Sequence, residues 1–192
     1  VSPSILALLQ EKPKQENRNR AALLLIDLQV GLFDGSEKPY QAEQLIENVN
    51  TLIDQARQNN VPIFAVRHTG PAGSPVAAGS PWWQLHPQLA LNPEQDVLFD
   101  KFKSSCFIGT ALLEQLREQE IQHIVIAGMK TQYCVDTNCR AAAEHGFQVS
   151  LIADAHSCMD TAALPAASII AHHNATLQGA IADVIRTSDF RF

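Results

Sequence analysis

Short continuous apolar runs alternate along this chain with stretches in which apolar residues recur every three or four positions. Ala21–Leu28 is such a run, interrupted only by Asp27, and Gln41–Asn59 then carries Leu45, Val49, Leu52, Ile53 and Ala56 at helical spacing. The first predicts a strand and the second an amphipathic helix. The same alternation predicts strands at Val61–Val66, Val97–Phe99, Ile121–Ala127, Val149–Ala153 and Ala182–Arg186. Helices are predicted at Thr110–Gln119, at about Gln132–His145 with Gly146 closing the end, and at Thr161–Gln178. Strands alternating with helices predict an α/β fold: a doubly wound, six-stranded, mainly parallel sheet with helices on both faces. Thr69–Pro93 breaks the rhythm. It is rich in Gly and Pro and holds both tryptophans, Trp82 and Trp83, and a loop of that size in a compact domain tends to cover or line a binding site.

Length adds that one domain suffices. A chain of 192 residues buries roughly 70% of its unfolded surface in a single core. Residues 21–192 are expected to form that domain and residues 1–20 a peripheral arm. Hydrophobic residues at 46% and charged residues at 18% are a globular balance. The net charge of −6 leaves no basic field for nucleic acid or anionic lipid. No apolar run reaches the roughly 18 residues that span a bilayer. A soluble cytoplasmic protein is therefore expected. Four cysteines without a CxxC pair give no zinc framework, and a chain with its own core needs no disulfides.

Ligands of open parallel sheets bind beyond the carboxyl ends of the strands, so polar residues there are the first candidates for chemistry. Asp27 closes the first strand, Lys101 follows the third within two residues, and Cys134 lies in the first turn of the helix after the fourth. Taken singly, each has an ordinary reading: a small buried hydrophobe, a turn residue, a solvated charge. Placed at neighbouring strand ends they make an acid, a cation and a thiol facing one crevice. The thiolate is the nucleophile, so something must favour it. A helix dipole supplies only about 0.3–1 kcal/mol, less than the ~1.4 kcal/mol that moves a pKa by one unit. A lysine ~4 Å away supplies about 4 kcal/mol at an effective dielectric near ~20, which makes Lys101 the group able to stabilise the thiolate. Asp27 opposes that effect as a charge and serves as acceptor of the thiol proton. Phe33, His68, Trp82, Trp83, Phe107 and Tyr133 flank the strand ends and are candidates to line the substrate site. A redox pair of Cys134 and Cys139 is disfavoured because five residues along a helix put them on different faces.

The segments LLLIDLQ, DKFKSSCFIGTALLEQL, VIAGMKTQYCVDTNCRAA and DAHS together resemble the isochorismatase-like cysteine hydrolase superfamily, over about Ala21 to Phe192. The resemblance implies Asp27 as acid, Lys101 as lysine and Cys134 as nucleophile. Lys101 is preferred to Lys103 because it stands six residues before Phe107. It further implies a cis peptide at Met129–Lys130, an oxyanion hole from the backbone N–H groups of Lys130 and Cys134, and a homodimer or homotetramer. Vinyl-ether hydrolases of this superfamily carry glycine in place of the nucleophile, so Cys134 points to acyl transfer. Its nicotinamidases hold a metal with an Asp-x-His and a further His; here the region reads RHTGPAGSP, leaving His68 and His86 without the aspartate, so neither metal nor other cofactor is expected. The closer likeness, through SPWWQLHPQL and TQYCVDTNCRAA, is to metal-free members including the streptothricin hydrolase-like group. The expected reaction is hydrolysis of a small-molecule amide through a thioester, with a lactam or ureide as variant substrates and a catalytically silent binding protein as the alternative.

Overall fold

A computed structural model describes residues 20–192, so the arm predicted over residues 1–20 lies outside the described residues apart from Arg20. The strands are β1 (Ala21–Ile26), β2 (Ile63–His68), β3 (Val97–Lys101), β4 (His123–Met129), β5 (Gln148–Ser157) and β6 (Asp183–Ile185). The helices are α1 (Val30–Phe33), α2 (Ala42–Gln58), α3 (Leu112–Glu118), α4 (Asp136–Glu144) and α5 (Ala166–Leu177). The sheet runs β3-β2-β1-β4-β5-β6 and every pairing is parallel. The doubly wound, six-stranded expectation is therefore met.

Strand β1 is central and buried along its whole length because its side chains alternate into two cores. Leu23 and Leu25 join Leu45, Val49, Leu52 and Ile53 of α2 on one face. Ala22, Leu24 and Ile26 join Leu112 and Leu116 of α3, Cys139 and Ala142 of α4 and Leu177 of α5 on the other. The strand order reverses between β1 and β4, which opens a crevice at their carboxyl ends.

Several boundaries differ from the apolar pattern. Strands β2 and β3 continue past Val66 and Phe99, because Arg67 pairs with Asp100 and His68 with Lys101 in the ladder, and the Arg67 Nε–Asp100 Oδ1 ion pair at 2.8 Å holds the polar pair together. Strand β5 extends through DAHS to Ser157, its register against β4 shifting between Ile126 and Gly128. Helix α5 starts at Ala166 rather than Thr161, since Pro165 occupies the N-cap and the Thr161–Leu164 segment folds into a hydrogen-bonded turn of its own.

Two buried features lock the end of β4. Gly128 has φ +131°, and a Cβ there would overlap the Ile26 carbonyl and meet Ile26 N at 2.7 Å, so only glycine lets β1 and β4 approach this closely. Two residues beyond the strand's own ladder, Thr131 Oγ1 contacts His156 Nδ1 at 2.9 Å, and His156 Nε2 contacts Asn174 Oδ1 at 2.8 Å. Asn174 Nδ2 donates to the Ala153 carbonyl, which leaves Oδ1 as the acceptor. His156 is therefore the neutral Nε2–H tautomer, with Nδ1 accepting from the Thr131 hydroxyl. Burial pushes its pKa down to about 4.

Gly128→Ala is expected to cost about 3 kcal/mol or more in denaturant unfolding, from the clash with Ile26 and the positive φ together. His156 contributes a pH dependence with a definite sign. The unfolded side chain titrates near ~6.5 and the folded one near about 4. Between those values the unfolded state binds the extra proton, so stability falls as the pH drops, by about 3 kcal/mol across the window. Urea unfolding at about pH 7 and about pH 4 should show this loss, and His156→Gln should reduce it.

Candidate active site

Asp27 ends β1 with φ 51°, a left-handed conformation that aspartate tolerates better than most residues and that turns its side chain out of the strand's alternation. Lys101 is the last residue of β3 and its side chain is 0% exposed. Cys134 does not begin an α-helix as expected. It lies in a π-helical turn, Thr131–Val135, closed by the Val135 N–H donating to the Lys130 carbonyl, and α4 starts only at Asp136. The Met129–Lys130 peptide before it is cis.

These three residues meet. Lys101 Nζ lies 2.8 Å from Asp27 Oδ2, 3.2 Å from Cys134 Sγ and 3.4 Å from His68 Nδ1. An ammonium has three N–H donors and all three are accounted for by these contacts. Asp27 Oδ1 is buried and has no hydrogen-bond partner.

The electrostatics refine the expectation that Lys101 stabilises a thiolate. Burial and the Asp27 charge push the Cys134 pKa up to about 11, and Lys101 only partly offsets them. At neutral pH about one thiol in ten thousand is then ionised. Burial also raises the Asp27 pKa against the opposing pull of Lys101, so Asp27 is a stronger base than an ordinary carboxylate. For Lys101, burial disfavours the charge, but Asp27 and Cys134 outweigh it and the pKa rises. The resting arrangement is carboxylate, ammonium and neutral thiol.

A cavity of about 250 Å³ opens over the cluster, lined by Asp27, Gln29, Leu32, His68, Val76, Lys130, Tyr133 and Cys134. Of the candidate substrate contacts, His68 and Tyr133 thus line it. Phe33 and Phe107 do not: Phe33 is buried in the core beside His86, and Phe107 packs against His145 and Phe147. Nor do the tryptophans. Trp82 packs over Gly31 with its side of the chain exposed, and Trp83 lies under the Arg67 guanidinium, 3.7 Å from the ring centroid, with Nε1 donating to Thr69 Oγ1. A larger cavity, about 680 Å³, lies at the amino ends of β4 to β6 and contains none of the candidate catalytic residues. The smaller one sits where parallel sheets place their chemistry.

Two positioning residues were missed in the sequence. Gln29 donates from Nε2 to the His68 and Trp83 carbonyls, at 3.0 and 2.9 Å, while its Oε1 accepts from the His68 N–H at 2.8 Å. It fastens the end of β2 and the Pro81–Trp83 turn beside Asp27. Asn138 Nδ2 donates to the Cys134 and Ser104 carbonyls, at 2.7 and 3.0 Å, and Oδ1 accepts from the Cys106 N–H at 2.7 Å. Both are fully engaged amides, and their only sequence signal was a polar residue inside LLLIDLQ and a weak helix former four places after Cys134. All four cysteines are free, with Cys139 buried away from the crevice. Among the described residues, no group of three or more His, Cys, Asp or Glu side chains comes together to hold a metal, and no helix is long and apolar enough to cross a membrane.

The sequence model of the isochorismatase domain matches residues 21–188. The chain belongs to the isochorismatase family. It is 32% identical over 154 residues to an uncharacterized isochorismatase family protein, YecD, of Escherichia coli O157:H7, covering 73% of this chain and 81% of that one. It is 28% identical over 144 residues to streptothricin hydrolase of Streptomyces noursei, covering 75% of this chain and about half, 52%, of that longer protein. The crystal structure of an isochorismatase from Pseudomonas putida KT2440 superposes with a TM-score of 0.84 at 27% identity, over 98% of both chains. The family member described here is a hydrolase, as its residues led one to expect.

Because Asp27 raises the Cys134 pKa, Asp27→Asn should shift the onset of iodoacetamide alkylation of Cys134 to lower pH, the released Lys101 ammonium then stabilising the thiolate. Mass spectrometry of the alkylated protein across a pH series measures it. An unchanged onset contradicts the charge coupling.

Proposed function

We propose that this hydrolase cleaves the C–N bond of a small-molecule amide by acyl transfer through Cys134. The observation that carries the reading is the buried Asp27–Lys101–Cys134 cluster, with contacts of 2.8 and 3.2 Å, at the floor of a cavity of about 250 Å³. That volume lies below the range of roughly 300–1,000 Å³ that holds drug-sized ligands, which favours a small substrate. A relative named for the hydrolysis of streptothricin supports hydrolysis as the reaction class.

With a thiol near pKa 11, the enzyme does not rest as a thiolate and needs a base at the moment of attack. Asp27, with a buried and unpartnered Oδ1, takes the thiol proton as the sulfur bonds to the carbonyl carbon. The carbonyl oxygen becomes an oxyanion, accepted by the backbone N–H groups of Lys130 and Cys134, both residues lining the cavity. Asp27 returns the proton to the nitrogen, the C–N bond breaks and the amine leaves a thioester on Cys134. Water then gives a proton to Asp27 and its oxygen to the acyl carbon, and the carboxylic acid departs as the thiol is restored. Lys101 keeps its three donors on Asp27, Cys134 and His68 throughout, so it acts as a fixed charge that holds base and nucleophile together rather than as a direct ligand of the substrate.

An ammonia-release screen over primary amides, ureides and lactams, with Cys134→Ser as blank, tests reaction and substrate class together. Active compounds should leave an acyl adduct on Cys134 visible by mass spectrometry. Asp27→Asn and Lys101→Ala should each lower kcat by about a hundredfold or more. Full activity in Lys101→Ala would remove lysine from the mechanism, and turnover by Cys134→Ser equal to wild type would remove the nucleophile.

A further inference from the structure

The third contact of the Lys101 ammonium fixes a property of the histidine it touches. An ammonium only donates, so His68 Nδ1, 3.4 Å from Lys101 Nζ, presents its lone pair. The neutral ring then carries its proton on Nε2, and among the described residues that nitrogen makes no hydrogen bond. His68 is held from both sides of its backbone by the Gln29 amide, so the ring is mounted on a fixed strand end rather than on a loop. Its neutrality has a physical cause as well: burial first, and then the adjacent Lys101 charge, push its pKa below the ordinary range, with Asp27 opposing.

Two other polar side chains of the cavity wall are engaged elsewhere. Gln29 makes three hydrogen bonds, and Asp27 Oδ2 faces Lys101. Among the described residues four polar groups of the wall show no hydrogen bond, the acceptor Asp27 Oδ1 and the donors His68 Nε2–H, Lys130 ammonium and Tyr133 hydroxyl, and of the donors the His68 N–H is the one whose ring is held by a buried partner. Oδ1 is occupied in turn by the thiol proton and the leaving nitrogen under the amidase reading. The His68 N–H has no task in that scheme. The rest of the wall is made by Leu32, Val76, Lys130 and Tyr133.

We propose that His68, locked by Lys101 as the Nε2–H tautomer, is a specificity-determining donor, so that the substrates are small amides with a second hydrogen-bond acceptor near the scissile carbonyl. This rests on the amidase reading for the word substrate, but not for the donor itself. A carbonyl, ether or ring-nitrogen acceptor satisfies the N–H, whereas a purely hydrocarbon acyl group leaves it desolvated and unpaired, a loss of about tenfold in affinity. Protonation of the ring would place a second cation against Lys101 and remove the Nδ1 lone pair, so the tautomer lock should hold at neutral pH and fail only below the usual histidine range.

Long-range proton–nitrogen spectra of the 15N-labelled protein read the tautomer without any substrate. His68 should show a protonated Nε2 and an unprotonated Nδ1 at neutral pH, and Lys101→Met should release it into a tautomer mixture. A protonated Nδ1, or the same spectrum in Lys101→Met, overturns the lock. Protection of Cys134 from iodoacetamide by cyclopentanecarboxamide and by its ring-oxygen analogue, tetrahydrofuran carboxamide, reads the donor. The oxygen analogue should protect at about tenfold lower concentration. His68→Leu should erase that difference and His68→Gln, whose side-chain N–H falls near Nε2, should restore most of it. Equal protection by the two compounds, or none by either, overturns the specificity role. If the difference in protection is present but the ammonia-release screen finds no turnover, the amidase reading fails and the donor stands.

Discussion

A single buried cation organises this molecule's crevice. Lys101 is wholly enclosed, and a buried ammonium is tolerable only when its charge is balanced and its donors are satisfied. Asp27 balances the charge, and Asp27, Cys134 and His68 take one donor each. Those partners come from the ends of β1 and β2 and the turn after β4, so the requirements of one nitrogen define where four segments of chain must converge. The strand order does the rest, since its reversal between β1 and β4 leaves room for them.

Around that point the structure is held by amides and hydroxyls rather than by further charge. Gln29 joins the end of β1 to β2 and to the Pro81–Trp83 turn, and Asn138 joins the backbone of Cys134 to the Ser104–Cys106 loop that follows β3. Thr131, His156 and Asn174 tie the turn to α5. Fully satisfied polar networks of this kind rigidify a site, and the proposed attack would need that rigidity to hold sulfur, base and carbonyl in one geometry.

The cost of this enclosure is a thiol that is harder to ionise than a free cysteine. The same burial strengthens Asp27 as a base, so in the proposed mechanism one physical cause would keep Cys134 dormant and supply the group that wakes it. A thiol held neutral in an open cavity would resist chance electrophiles, which suits the proposed attack on a bound carbonyl.

The apolar periodicity by itself determined the strands and the parallel doubly wound sheet, and with them the crevice that holds the candidate site, because burial on two faces leaves few ways to arrange such blocks. The clustering of Asp27, Lys101 and Cys134 was legible for a related reason: polar residues at the ends of apolar strands stand out against their surroundings. Only the tertiary structure decided which aromatic residues face the cavity, placing Phe33 and Phe107 in the core and His68 and Tyr133 at the wall. It also decided the roles of Gln29 and Asn138 and the direction of the Cys134 pKa. Those depend on which atoms meet across gaps of dozens of residues, and on how deeply they are buried, neither of which is written in the local pattern of a chain.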